Sequence, residues 1–174
     1  MRWDLFCRVI DNHGDLGVCW RLAVDLASRG ETVRLWVDDA RALAWMAPEG
    51  APRVELRPWP LQPVEDEPAD VVIEAFGCDL PEDFVARMAA RHVPPEWINL
   101  EYLSAEDYVA RSHGLPSPQR NGLVKWFFYP GFDEGSGGLL REPSLLGQRR
   151  AFDAQAWLAS QLGERHPDRP EPRS

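Results

Sequence analysis

Lysine is nearly missing from this sequence: Lys125 is the only one, and arginine supplies the rest of the nineteen basic side chains. That bias is compositional and carries no mechanism. Basic charge as a whole is short, with 28 Asp and Glu against 19 Lys and Arg and a net charge of −9. Binding nucleic-acid phosphates requires clustered Lys and Arg, so a nucleic-acid partner is not expected. A basic protein partner is compatible with the charge. Cysteine is scarce: Cys7, Cys19 and Cys78 are widely spaced, with no C-x-x-C pair and no metal-ligand pattern. They read as buried free thiols of a reducing compartment. No apolar run approaches the ~20 residues needed to span a bilayer. Residues 1–4 pass directly into a strand-like segment, without the pattern of a signal peptide. These absences predict a cytoplasmic protein with no membrane association. No internal repeat stands out at a fixed period.

What is present suits a globular fold. The chain has 174 residues, 44% of them hydrophobic, enough for one full-sized core. Residues 5–10 read as a short buried strand bounded by a turn signal. A helix is predicted over 18–29, with Val18, Cys19, Leu22, Ala23, Leu26 and Ala27 on one face and Gly30 as its stop. Strands follow at 32–37, 54–57, 70–77, 97–102 and 124–129. Helices are predicted at 40–47, 81–91 and 149–162, the last with Phe152, Ala156, Trp157 and Leu162 on its apolar side. Residues 58–68 are proline-rich and acidic and read as a surface loop; 135–138 read as a flexible one. The composition from Gly163 onward suits a disordered tail or linker. The domain is therefore expected over 1–162, with a tail at 163–174. The order of elements implies an α/β fold, a Rossmann-like, largely parallel sheet with flanking helices. Ligands of such sheets sit beyond the carboxyl ends of the strands.

One of those loops concentrates chemistry: Asp11-Asn12-His13-Gly14-Asp15-Leu16-Gly17. Two carboxylates four residues apart stand before a helix N-terminus. Gly14 and Gly17 permit a tight turn and a close approach to a ligand. Exposed helix N–H groups suit an anion, and the carboxylates suit a cation or a proton donor. Asp11 and Asp15 are equally the kind of residue that merely caps a helix, for about 1 kcal/mol. Dinucleotide binding is a further alternative, with Asp38 near the place of a ribose-binding acid. Its fingerprint needs G-x-G-x-x-G, and the chain offers only Gly14-x-x-Gly17.

The chain resembles the EarP family, bacterial enzymes that attach rhamnose to an arginine of elongation factor P. The similarity lies in residues 3–22 (WDLFCRVIDNHGDLGVCWRL), 33–39 (VRLWVDD), 97–106 (WINLEYLSAE), 125–132 (KWFFYPGF) and 137–142 (GGLLRE). The resemblance implies the N-terminal, acceptor-side domain of a GT-B glycosyltransferase, whose C-terminal donor-binding domain is not in this sequence. It implies inverting transfer from dTDP-β-L-rhamnose, elongation factor P as partner, and no metal or other cofactor. The family's two functional acids match Asp11 and Asp15, with Asp15 the base-like residue near the acceptor guanidinium and Asp11 supporting it. Asn12, His13, Gly14, Gly17, Asn99, Glu101 and Tyr102 are candidate substrate-binding residues. His13 departs from the family's aromatic Tyr or Phe, so a ring-specific role there does not carry over. Two other functions fit the sequence: a non-catalytic module that docks elongation factor P, and an unrelated nucleotide-binding Rossmann protein.

The remaining candidates read as structure. The aromatic run Trp126 to Tyr129 is expected to be a buried strand rather than a base-stacking surface. Ser136 belongs to a flexible Gly-Ser-Gly-Gly loop. His92, His113 and His166 are scattered. Asp38 and Asp39 either end a strand or touch a basic partner.

Overall fold

Alternating apolar segments and amphipathic stretches give a sheet covered by helices on both faces. A computed structural model describes residues 1–11, 13–59 and 66–163. Of the tail predicted from Gly163, residues 164–174 lie outside the described residues, as do the middle of the proline-rich loop and Asn12. The chain divides into two units, Met1–Leu140 and Arg141–Ser174. The first contains strands β1 (Arg2–Cys7), β2 (Thr32–Val37), β3 (Val54–Pro58), β4 (Val71–Ala75), β5 (Glu96–Leu100), β6 (Pro116–Pro118) and β7 (Val124–Phe128). Its helices are α1 (Gly14–Ser28), α2 (Leu43–Met46), α3 (Glu82–Ala90) and α4 (Tyr108–Ser112).

The seven strands form one sheet in the order β3-β2-β1-β4-β5-β7-β6. All neighbours are parallel except β6 and β7. This confirms the expected Rossmann-like α/β class. The order runs outward one way from β1 through β2, and the other way from β1 through β4. The loops leaving β1 and β4 therefore part at their carboxyl ends, where such sheets hold ligands.

Side chains alternate between two cores, as period-two strands require. Leu5 and Cys7 of β1 join Leu35, Ile73, Leu16, Cys19 and Ala23 under α1. Phe6, between them, joins Trp36, Val72, Phe84, Met88 and Trp97 under α3. All three cysteines are buried free thiols, as expected. Charge is also buried between the strands. Asp4 accepts a fork from Arg34 at 2.6 and 2.7 Å, and further bonds from the Trp36 indole and the Ala69 amide. Glu74 accepts the Trp97 indole N–H and both bonds from Lys125 Nζ. The lone lysine thus ties β7 to β4 across β5.

Several boundaries differ from the sequence reading. The first strand ends at Cys7, not at residue 10. The Val9 amide donates to Asp38 Oδ1 instead of a ladder neighbour, and Ile10 is exposed, so two apolar residues belong to the loop. α1 begins at Gly14, because the Gly17 amide already bonds the His13 carbonyl. β6 and α4 were not expected; prolines at both ends of β6 are tolerated because it is an edge strand. The 124–129 strand is only partly covered, with Trp126 41% exposed. Residues 135–138 form a bonded turn, in which Ser136 donates to the Asp133 carbonyl and accepts from the Gly138 amide.

The second unit contains two helices where one was predicted, α5 (Leu145–Ala151) and α6 (Ala154–Gly163). Asp153 separates them: its Oδ1 accepts the amides of Gln155 and Ala156, the bonds of a helix cap. Among the described residues, no helix is long and apolar enough to cross a membrane.

Candidate active site

The loop from Arg8 to His13 leaves the centre of the sheet and turns straight into α1. A tight turn closes it, with the Gly14 amide donating to the Asp11 carbonyl at 2.8 Å. Gly14 is required there in a specific sense. A Cβ on it would lie 2.7 Å from Asp11 Oδ2, so the missing side chain is the space the Asp11 carboxylate uses. At Gly17 a Cβ would meet only the flexible tip of Met46.

The two acids sit in different surroundings. Asp15 is 1% exposed. Its Oδ2 accepts the amides of Ile10 at 3.0 Å and Asp11 at 2.9 Å, folding the loop back over the first turn of α1. Its Oδ1 accepts the hydroxyl of Tyr102 at 3.0 Å. Asp11 is exposed and points its carboxylate over Gly14. Neither acid caps α1 in the simple way: the N-cap residue is His13, with no side-chain capping bond. Asp15 instead reaches backward to organise the strand-to-helix turn.

Tyr102 arrives from beyond β5. That strand ends at Leu100 rather than at residue 102, and Tyr102 turns back toward β1. Its ring is half exposed and stacks flat on Phe76, with centroids 4.2 Å apart and planes 11° apart. The hydroxyl end is turned inward, and burial first, then the hydrogen bond and charge of Asp15, push the phenol up to about 12. Phe76 follows β4 with φ at +57°, and Gly77 continues at +61°. A bulky residue in the left-handed region is a strained one. Phe76 escaped the sequence reading because its apolar run continues the strand; the glycine after it was the available signal.

His13 packs edge-on against Trp45, with ring centroids 5.2 Å apart. Both line a hollow of about 350 Å³ with Val9, Ile10, Asp39, Arg41 and Ala42. Within that lining Arg41 forks onto Asp39 and holds that carboxyl down at about 2.

The structure brings Asp11, His13, Gly14, Asp15, Gly17 and Tyr102 together at the carboxyl end of the central strands. Asn12 lies outside the described residues. Asn99 is 2% exposed and donates to Glu101 Oε1 at 2.6 Å, so it supports Glu101 rather than presenting its amide to solvent. A strand covered on both faces hides which alternate residues turn inward.

Comparison with known proteins identifies the family. The profile of the family described as elongation factor P (EF-P) rhamnosyltransferase EarP matches residues 3–172. A protein-arginine rhamnosyltransferase of Pseudomonas putida is 55% identical over 164 residues, covering 88% of this chain and 43% of the relative. One of Pseudomonas aeruginosa is 53% identical, covering 87% and 43%. One of Shewanella oneidensis is 42% identical, covering 93% and 45%. The chain thus spans less than half the length of these relatives.

Proposed function

The chain belongs to the EarP family of rhamnosyltransferases, and from that premise we propose that it is the acceptor-side domain of a protein-arginine rhamnosyltransferase. The substrate we assign is an arginine of elongation factor P. The donor is dTDP-β-L-rhamnose, held mainly by a second, C-terminal domain as the family resemblance implies. The setting is the cytoplasm, and the reaction uses no metal or other cofactor.

The observation that carries this reading is the paired carboxylate loop. Asp15 is buried and bonded to two amides and a phenol, while Asp11 stands exposed beside it. The chemistry demands such a pair. A guanidinium has a pKa above ~12 and a delocalised lone pair, so it is a poor nucleophile. An exposed carboxylate attracts and orients it; a second, fixed one takes its proton as the bond forms. In the inverting step one guanidinium nitrogen attacks the anomeric carbon from the face opposite the diphosphate. The C–N bond forms, the C–O bond to dTDP breaks, and the N–H proton passes to Asp15.

The test has two arms. Isotope-labelled elongation factor P is titrated with this chain and followed by NMR, and shifts confined to its arginine-bearing domain are expected. The factor is also incubated with chain and dTDP-rhamnose and weighed by mass spectrometry. The 174-residue chain alone is expected to bind with little or no turnover. A clear rhamnosyl mass increase would overturn the second expectation, and absence of shifts at high concentration would overturn the first.

A further inference from the structure

If Asp15 receives the acceptor proton, its closed surroundings need a reason. A carboxylate only 1% exposed meets no incoming donor until a neighbour moves. The amides of Ile10 and Asp11 on Oδ2 cannot leave without unmaking the loop. Among the described residues, the side chain on Oδ1 is Tyr102. Tyr102 is built to leave. It is 49% exposed, lies past the end of β5 and is held to the protein by one hydrogen bond, donated by an uncharged phenol, and a ring stack.

We infer that Tyr102 is a specificity-determining gate, whose hydroxyl occupies the Asp15 Oδ1 position that the acceptor guanidinium must take. The inference rests on the acceptor-domain reading above. A guanidinium brings the carboxylate a full positive charge as well as hydrogen bonds in a fixed fork, neither of which the phenol offers. It displaces a phenol where a neutral amide or hydroxyl only trades like for like. Exposed Asp11 supplies the first attraction, and opening follows the arrival of positive charge. The phenol does not open the gate by ionising, since it is held up at about 12. Phe76 sets the closed position: the left-handed turn at Phe76 and Gly77 lays its ring flat against Tyr102. Strain of this kind persists where the surroundings impose it, often at functional sites.

The experiment is calorimetric titration of the wild-type chain and Tyr102→Phe with elongation factor P. A parallel series uses the factor with its acceptor arginine replaced by alanine. Phenylalanine keeps the stack and removes the donor, and matching amide spectra verify that the fold is retained. The variant is expected to bind the arginine-bearing factor about ten-fold tighter, the equivalent of one hydrogen bond to a charged acceptor no longer competing. The gain is expected to vanish with the alanine-bearing factor. Wild-type binding with equal or weaker binding by the variant overturns the gate and leaves the acceptor-domain reading standing. A gain that persists with the alanine-bearing factor also overturns the gate. Binding by neither chain overturns both.

Discussion

Replacing Asp15 with alanine removes a group whose partners can be counted. The substitution leaves the amides of Ile10 and Asp11 and the hydroxyl of Tyr102 without their acceptor. Tyr102 is half exposed and regains water, so it adds little to the cost. The two amides close a part-buried turn, and each unmade bond costs about 1–3 kcal/mol. Partial rehydration of the loop trims the sum, giving an expected loss of about 2–4 kcal/mol. Asp15→Asn differs in a calculable way. Its single oxygen still faces both amides, and its NH₂ can donate to the Tyr102 oxygen. It forfeits only the charge of the acceptor, about 1 kcal/mol. The asparagine variant should therefore be the more stable by about 2 kcal/mol. Urea unfolding at neutral pH measures this, provided the slopes with denaturant agree. Equal midpoints for the two variants, or an alanine cost near zero, would refute the argument. The turn from Asp11 to Gly14 would then stand without its buried acid.

Three further expectations follow from the same structure. Gly14→Ala should leave thermal stability unchanged or raise it by about 0.5 kcal/mol, since alanine favours the helix; because its Cβ displaces Asp11 Oδ2, elongation factor P binding should fall several-fold in the same sample. Lys125→Met strands Glu74, which is 1% exposed, and should cost about 3–5 kcal/mol in denaturant unfolding, while the double variant with Glu74→Gln should recover at least half of that. Alkaline stability should hold below pH ~10 and decline as pH rises from ~10 toward 12, because Tyr102 ionises near 10 when unfolded and at about 12 when folded. Unfolding followed by tryptophan fluorescence should show a shallower decline in Tyr102→Phe.

The sheet was legible because its signals are local. Short apolar strands separated by amphipathic helices admit few arrangements, and right-handed crossovers leave a parallel one. The loop at the end of β1 was legible too, since acids and glycines between a strand and a helix have few other reasons to cluster. What was hidden depends on distance in the chain. Tyr102 reaches Asp15 across 87 residues, and the pairing appears only once β1, β4 and β5 are placed side by side. Phe76 was hidden for a different reason. Its apolar character continues the strand, while its backbone leaves it. Ile10 misled in the opposite sense, an apolar residue that the loop exposes.

The two acids are chemically identical, and the structure makes them different. A carboxylate in water binds a guanidinium weakly, because water competes for both partners and salt screens the charge. One fixed inside a loop, with an oxygen already satisfied by amides, pays no orientational cost when its partner arrives. On the proposed acceptor role, each acid alone meets half of the requirement. Asp11 is accessible and carries charge into the crevice; Asp15 is oriented and closed to water. The loop links them, because the Asp11 amide is one of the donors that hold Asp15, and the Asp11 carbonyl closes the turn that places Gly14. Loss of Asp15 therefore also disturbs Asp11, whereas loss of the Asp11 side chain leaves the backbone bonds of Asp15 intact. The four-residue spacing is what one strand-to-helix turn needs to set one acid outside and the other within.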